Sequence, residues 1–163
     1  MAVASLILVL LITDLYIARA FSHTELDDVT PEIQCDQDLL EKSDILWVIP
    51  IFNNISIADN KKWCDYILSL NKTLGLHGVY HTYNEFGTLR DERYVDDGII
   101  AFEECFGFKP EIFKAPQINL TAHNKNMLEE EGFVVYGQQS QITHKVYHCS
   151  DTGVFHNSFI DRF

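Results

Sequence analysis

The hydrophobic pattern divides this chain into short continuous apolar runs and longer stretches where apolar residues recur at three- and four-residue steps. Asp44-Ile-Leu-Trp-Val-Ile-Pro50 is a continuous run closed by proline, the pattern of a strand buried on both faces. From Ala58 to Leu74, the residues Trp63, Ile67, Leu70 and Leu74 fall on one helical stripe, and Gly75 is placed to end that helix. Leu76 to His81 reads as the next strand, running into a loop. Tyr94 to Phe106 reads as a second helix with Gly107 just past its end. Glu111 to Pro116 is a short strand stopped by proline. Thr121 is placed to cap a helix through Glu131, and Gly132 precedes a strand over Phe133 to Tyr136. Phe21 to Asp28 reads as the first strand, ending on an acidic pair. Strands alternating with helices about five times predict parallel pairing with covering helices, an α/β fold.

This organisation locates the chemistry. Asp27-Asp28, Pro50, His77 to His81 and Lys114 to Gln117 all fall at or just beyond the C-terminal ends of predicted strands. In parallel α/β folds that face binds ligands. Two imidazoles four apart, His77 and His81, with one carboxylate from a distant strand supply three ligands to a catalytic divalent metal and leave positions open for water and substrate. The second carboxylate of the pair is then free to act as a base on that water. The duller reading of Asp27-Asp28 before Thr-Pro is a helix start, and Asp91-Glu92 reads the same way. Tyr80, Tyr83 and Phe86 around the histidines suit either sugar stacking or core packing.

Three segments then resemble a known family. Leu26-Asp27-Asp28-Val29-Thr30-Pro31, His77-x-x-x-His81 and Phe113-Lys114-Ala115-Pro116, in that order, look like the first three motifs of the polysaccharide deacetylase superfamily, closest to a divergent branch of it. The similarity covers roughly residues 24 to 137. It implies a distorted, incomplete (β/α) barrel and metal-dependent de-N-acetylation of an N-acetylated amino sugar or glycan. It implies that Asp28, His77 and His81 hold a divalent metal, usually zinc, and that Asp27 is the general base. The family's third motif usually has arginine where this chain has Lys114, so a bidentate contact to the base becomes a point charge. Gln117 stands where an aromatic residue is common, and a backbone N–H near Pro116-Gln117 is expected to hold the oxyanion. The family also supplies a late histidine as general acid. His144, His148 and His156 are the candidates, with His148 first because it falls on a predicted strand end. A glycan-binding pseudoenzyme that keeps the fold, or a hydrolase of another small amide or ester, remains an alternative function, since a fold does not fix a substrate.

Composition refines this picture. The 163 residues fit one domain, and 47% hydrophobic with 22% charged residues is an ordinary globular balance. A formal net charge of −12 disfavours nucleic acid and anionic membrane surfaces as partners, because both need a basic footprint. There is no glycine-rich phosphate loop. Residues 1–20 hold an apolar run and a small-x-small site at Ala18-Arg19-Ala20, which reads as a signal peptide ahead of a single catalytic domain over 21–163. No Lys or Arg precedes the run and Asp14 interrupts it, so an uncleaved anchor and a hydrophobic first strand stay open. Three sequons, at Asn54, Asn71 and Asn119, fit a secreted or lumenal protein. Cys35, Cys64, Cys105 and Cys149 contain no CxxC pair; they allow one or two disulfides in an oxidising compartment, or buried thiols in a reducing one.

Overall fold

The computed structural model describes residues 2–162. After an N-terminal helix α1 (Ala2–Phe21) come strands β1 (Thr24–Val29), β2 (Ile45–Val48), β5 (Thr73–His77), β6 (Ile112–Lys114), β7 (Val134–Tyr136) and β8 (Lys145–His148), all in one parallel sheet. A small antiparallel hairpin, β3 (Ile51–Phe52) with β4 (Ile55–Ser56), lies between β2 and β5 in the chain. The sheet order is β7-β6-β5-β2-β1-β8. Read from β8, each strand lies beside its predecessor in that sheet, and the last strand lies beside the first. That is the order of a barrel opened between β7 and β8; a doubly wound sheet would reverse at a switch point.

Side chains show the curl directly. β6 lies three strands from β1, about 14 Å along a flat sheet, yet the Lys114 ammonium sits 2.7 Å from Asp27 and 3.0 Å from Glu25. On the concave face Tyr136 of β7 packs edge-on against Trp47 of β2, their ring centroids 4.9 Å apart. The fold is thus a distorted, incomplete (β/α) barrel. Its convex face carries Leu26, Leu46, Val48, Leu76 and Phe113, which alternate with the inward residues and share one core with Ile67, Phe102 and Leu128 from the covering helices α3 (Lys61–Ser69), α4 (Glu92–Phe106) and α5 (Ala122–Glu130).

Most of the predicted elements form, with boundaries a few residues off. Gly107, at φ 82°, ends α4, and the Thr121 side chain caps α5 by accepting from the Asn124 N–H. The helix predicted from 58 to 74 is shorter: Asn60 caps α3, which stops at Ser69, and Leu74 and Gly75 lie in β5. Leu74 continues the helical stripe but also fits the two-residue period of a strand with Leu76. Gly75 faces the interior, where a Cβ would lie 2.4 Å from the Trp47 ring, so close approach and not helix termination explains the glycine.

The first segment is helical, which removes the strand alternative for residues 2–20. Its stretch Ala4–Phe21 is long and apolar enough to cross a membrane by length and composition, and almost all of it is exposed. Arg19 is its buried exception, donating to the carbonyls of Gln141 (3.4 Å) and Ile142 (3.0 Å) in α6 (Gln138–Thr143). The cysteines form two disulfides, Cys35–Cys149 and Cys64–Cys105. The first ties the loop after β1 to the residue following β8; the second joins α3 to α4.

Candidate metal and catalytic centre

Strict alternation along β1 would send Asp27 and Asp28 to opposite faces of the sheet. A bulge prevents that. The register of β1 against β2 shifts between Leu26 and Val29, and Asp28 adopts a left-handed backbone at φ 66°. Both carboxylates therefore reach the same open end of the barrel. His81, at φ 55°, and Gln117, at φ 51°, are left-handed as well. With Ile118, at φ 55°, four non-glycine residues in this sparsely populated region converge on one site, where surrounding structure has to hold them.

Asp28, His77 and His81 form a compact set. Asp28 Oδ1 lies 3.5 Å from His77 Nε2 and 3.0 Å from His81 Nε2. Tetrahedral donors around a zinc-sized ion are about 3.4 Å apart, so the spacing suits a small divalent cation. His77 Nδ1 lies 3.1 Å from the Lys114 carbonyl. Donating there, it leaves Nε2 with its lone pair aimed at the set, the outer-shell arrangement that orients histidine ligands. Burial pushes the Asp28 carboxyl up, but hydrogen bonds from His77 and His81 outweigh it and hold the carboxyl well below the usual range. Burial likewise opposes charge on His77, yet the Asp27 and Asp28 carboxylates raise its pKa. Both shifts describe a buried site whose field favours a cation. The residues present fit a divalent metal.

Asp27 stands next to this set and is almost wholly buried. Its Oδ1 accepts from the Lys114 ammonium at 2.7 Å, and its Oδ2 lies 3.6 Å from His148 Nε2. The register explains both neighbours: Asp27 pairs with His148 across β1 and β8, and Lys114 pairs with His77 across β5 and β6. His148 Nδ1 is buried without a hydrogen-bond partner among the described residues, and Gly153 confines the ring sterically, since a Cβ there would lie 2.4 Å from it. Asn157 holds the His148 backbone from both sides, accepting from its N–H at 3.0 Å and donating to its carbonyl at 2.8 Å. Asp27, Asp28, His77, His81, Gln117 and His148 line one cavity of about 290 Å³. That is near the lower end of small-molecule sites, about 300 Å³.

The other late histidines lie elsewhere. His144 pairs with Glu25 at 2.6 Å, deeper in the barrel, and the exposed His156 lies 3.1 Å from Asp151. Phe86 belongs to the core, Tyr80 donates to Asp97, and Tyr83 is exposed; none of the three lines the cavity.

Sequence reasoning missed two carboxylates. Glu25 is completely buried and accepts from Lys114 at 3.0 Å and from the Trp47 indole at 2.7 Å. Its position two residues before Asp27, on the same strand face, was the available signal. Glu85, also completely buried, accepts from the backbone N–H groups of Val79 (3.2 Å), Tyr80 (2.7 Å) and His81 (3.2 Å) and from the Tyr94 hydroxyl (2.7 Å). It folds the turn that presents His81. No local pattern marks that glutamate as buried.

The site thus joins an aspartate pair near the end of β1 to a His-x-x-x-His turn that begins on the last residue of β5, in an opened parallel barrel. Solved structures similar to the chain include a mutant of a CE4-family pseudoenzyme, at TM-score 0.47 and 13% identity, covering 56% of this chain and 32% of that one. The wild-type CE4-family pseudoenzyme from Bacillus anthracis matches at 0.48 and 10% identity, over 65% of this chain and 44% of that one. The catalytic domain of peptidoglycan N-acetylglucosamine deacetylase from Eubacterium rectale matches at 0.49 and 14% identity, over 85% and 79%. The chain thus spans less than half the length of the two pseudoenzyme structures. No family model and no curated protein matches its sequence.

Proposed function

We propose that the protein is a metal-dependent hydrolase that removes the acetyl group from an N-acetylated amino sugar or glycan. The observation that carries this reading is the pairing of two differently held carboxylates in one cavity: Asp28 faces two imidazole nitrogens, while Asp27 faces an ammonium and a third imidazole. A binding protein has no need of the second. Asp28, His77 and His81 would hold the divalent ion, zinc by the N/O donor set. When bound, such an ion polarises a carbonyl and lowers the pKa of water. Asp27 would take the proton of the attacking water on Oδ2, the oxygen not bonded to Lys114. Lys114, bonded to Oδ1, orients Asp27 as a positioning residue. His148 would return a proton to the departing amine nitrogen, so that water and amide become acetate and free amine. Pro116 has no N–H and the Ile118 N–H goes to the Ala115 carbonyl at 3.1 Å, which makes the Gln117 N–H the backbone candidate for the oxyanion.

We also propose that residues 1–20 act as a signal peptide ahead of one catalytic domain over 21–163, in a secreted or lumenal protein. The exposed apolar helix supports this. So do the two disulfides and the exposed asparagines of all three sequons.

Acetate release from N-acetylated chito-oligosaccharides by the zinc-loaded protein tests the activity. Asp27→Asn is expected to slow turnover about 10²- to 10⁴-fold while leaving bound metal unchanged. Equal rates in variant and wild type would refute the assignment of the base. Saturable oligosaccharide binding by a zinc-loaded wild type that releases no acetate would replace the enzyme with a glycan-binding protein.

A further inference from the structure

The concave face holds a second convergence of metal-binding side chains, one step down the barrel from the first. Glu25 lies two residues before Asp27, about 7 Å along β1, toward the N-terminal ends of the strands. The register Thr24–Lys145 between β1 and β8 sets His23 and His144, the residues just before them, side by side. His144 Nδ1 is 2.6 Å from Glu25 Oε1, and His23 Nε2 is 3.6 Å from the same oxygen. The two rings are 4.0 Å apart by centroid and tilted 55°, and the three donor atoms all lie within 4.8 Å of one another.

Hydrogen bonding alone does not complete this cluster. Glu25 Oε2 accepts from Lys114 and Trp47, and Oε1 is engaged by His144. His23 Nε2 points at that same oxygen, buried and without a hydrogen-bond partner among the described residues. A buried nitrogen left unpaired is destabilising, so the cluster has a free donor to offer. Charge is incomplete too: Glu25 and Asp27 are two carboxylates around the one buried ammonium of Lys114. Two neutral imidazoles and one carboxylate oxygen are the donor set of a zinc-class ion, whose donors lie about 3.4 Å apart, between the spacings seen here. His23 is 36% exposed, so an ion can reach the cluster from the barrel's lower mouth.

We propose that His23, Glu25 and His144 form a second site for a divalent transition metal of the zinc class, distinct from Asp28, His77 and His81. It uses Glu25 Oε1 and leaves Oε2 on Lys114, so both sites can fill together. The inference stands apart from the proposed deacetylase activity, and its test separates the two metal sites.

The test is zinc stoichiometry after equilibrium dialysis, with cobalt absorption as a second readout, on the wild type, His77→Ala/His81→Ala, His144→Gln and His23→Gln. Two equivalents in the wild type and one in each variant are expected, with the cobalt spectrum of His144→Gln retaining only the component lost in His77→Ala/His81→Ala. A single wild-type equivalent lost in His77→Ala/His81→Ala but kept in both His144→Gln and His23→Gln overturns the second site and leaves the first. A single equivalent with the reverse pattern supports the second site and removes the first. No bound zinc overturns both. The glutamine variants keep size and polarity, and a native circular dichroism spectrum for each shows that a lost ion is not a lost fold.

Discussion

At the scale of single residues, Lys114 links the two carboxylates of β1 that face the barrel interior. It is fully buried, and its ammonium bridges Asp27 and Glu25. Burial pushes the Glu25 carboxyl up, but the Lys114 charge and the hydrogen bonds from His144, Lys114 and Trp47 hold it below its ordinary value. A buried charge with its partner removed is far more costly than the pair itself is stabilising. Lys114→Met leaves two buried carboxylates facing each other, so denaturant unfolding should show a loss of about 3–5 kcal/mol. Combining it with Glu25→Gln and Asp27→Asn removes the stranded charges and should restore most of that loss. An equally unstable triple variant would show that Lys114 matters through packing against Trp47, whose ring lies 5.5 Å from the ammonium, and not through charge.

At the scale of elements, the strand starts are tied by polar side chains and the strand ends are bent by them. Asp44, just before β2, accepts from the Thr24 N–H at 2.7 Å and its hydroxyl at 3.0 Å, clamping the start of β1. The Thr24 N–H is the main cause that lowers the Asp44 pKa below its ordinary value. A carboxyl lowered in the folded state contributes stability that is fully present above the unfolded pKa and lost as pH falls through the folded one. The wild type should therefore exceed Asp44→Ala by about 1 kcal/mol at neutral pH, and thermal melts of the two should converge below the ordinary aspartate range. A difference that persists in acid would assign the clamp to contacts of the uncharged side chain, and no difference at neutral pH would assign it to the backbone bond from the Asp44 N–H to the Thr24 carbonyl. The elements themselves were legible because their patterns are local: a proline-closed apolar run, a stripe ending at Gly107, Thr121 before a helix. The cluster of Asp28, His77 and His81 was legible because two of its members lie four residues apart. The bulge at Asp28 was not, since nothing in Leu-Asp-Asp-Val predicts which carboxylate turns back. Glu25 and Glu85 were invisible for the same reason, and His144, legible only as a candidate acid, gave no sign of its pairing with Glu25; each is explained only by a partner distant in sequence or by a turn not yet folded.

At the scale of the whole molecule, an opened barrel lacks the ladder that would join its edge strands β7 and β8, and covalent links reinforce the hydrogen bonds it does have. Cys35–Cys149 spans a sequence separation of 114 residues and Cys64–Cys105 one of 41. By loop-closure entropy these stabilise the fold by about 5 and about 4 kcal/mol respectively. Their positions differ more than their energies. Cys64–Cys105 joins two helices on the convex face, away from the cavity. Cys149 immediately follows His148, and its bridge holds the end of β8 against the loop that leaves the aspartate pair. Cys64→Ser/Cys105→Ser should therefore lower the melting temperature but leave acetate release per folded molecule unchanged. If the proposed activity holds, Cys35→Ser/Cys149→Ser should lower both, because His148 loses its fixed distance to Asp27 while Asp28, His77 and His81, carried by β1 and β5, keep the spacing that would hold a metal. Turnover per folded molecule, measured beside zinc content below each variant's melting transition, separates these effects. Full activity in Cys35→Ser/Cys149→Ser would mean that the Asn157 hydrogen bonds alone hold His148, and that the bridge serves only stability.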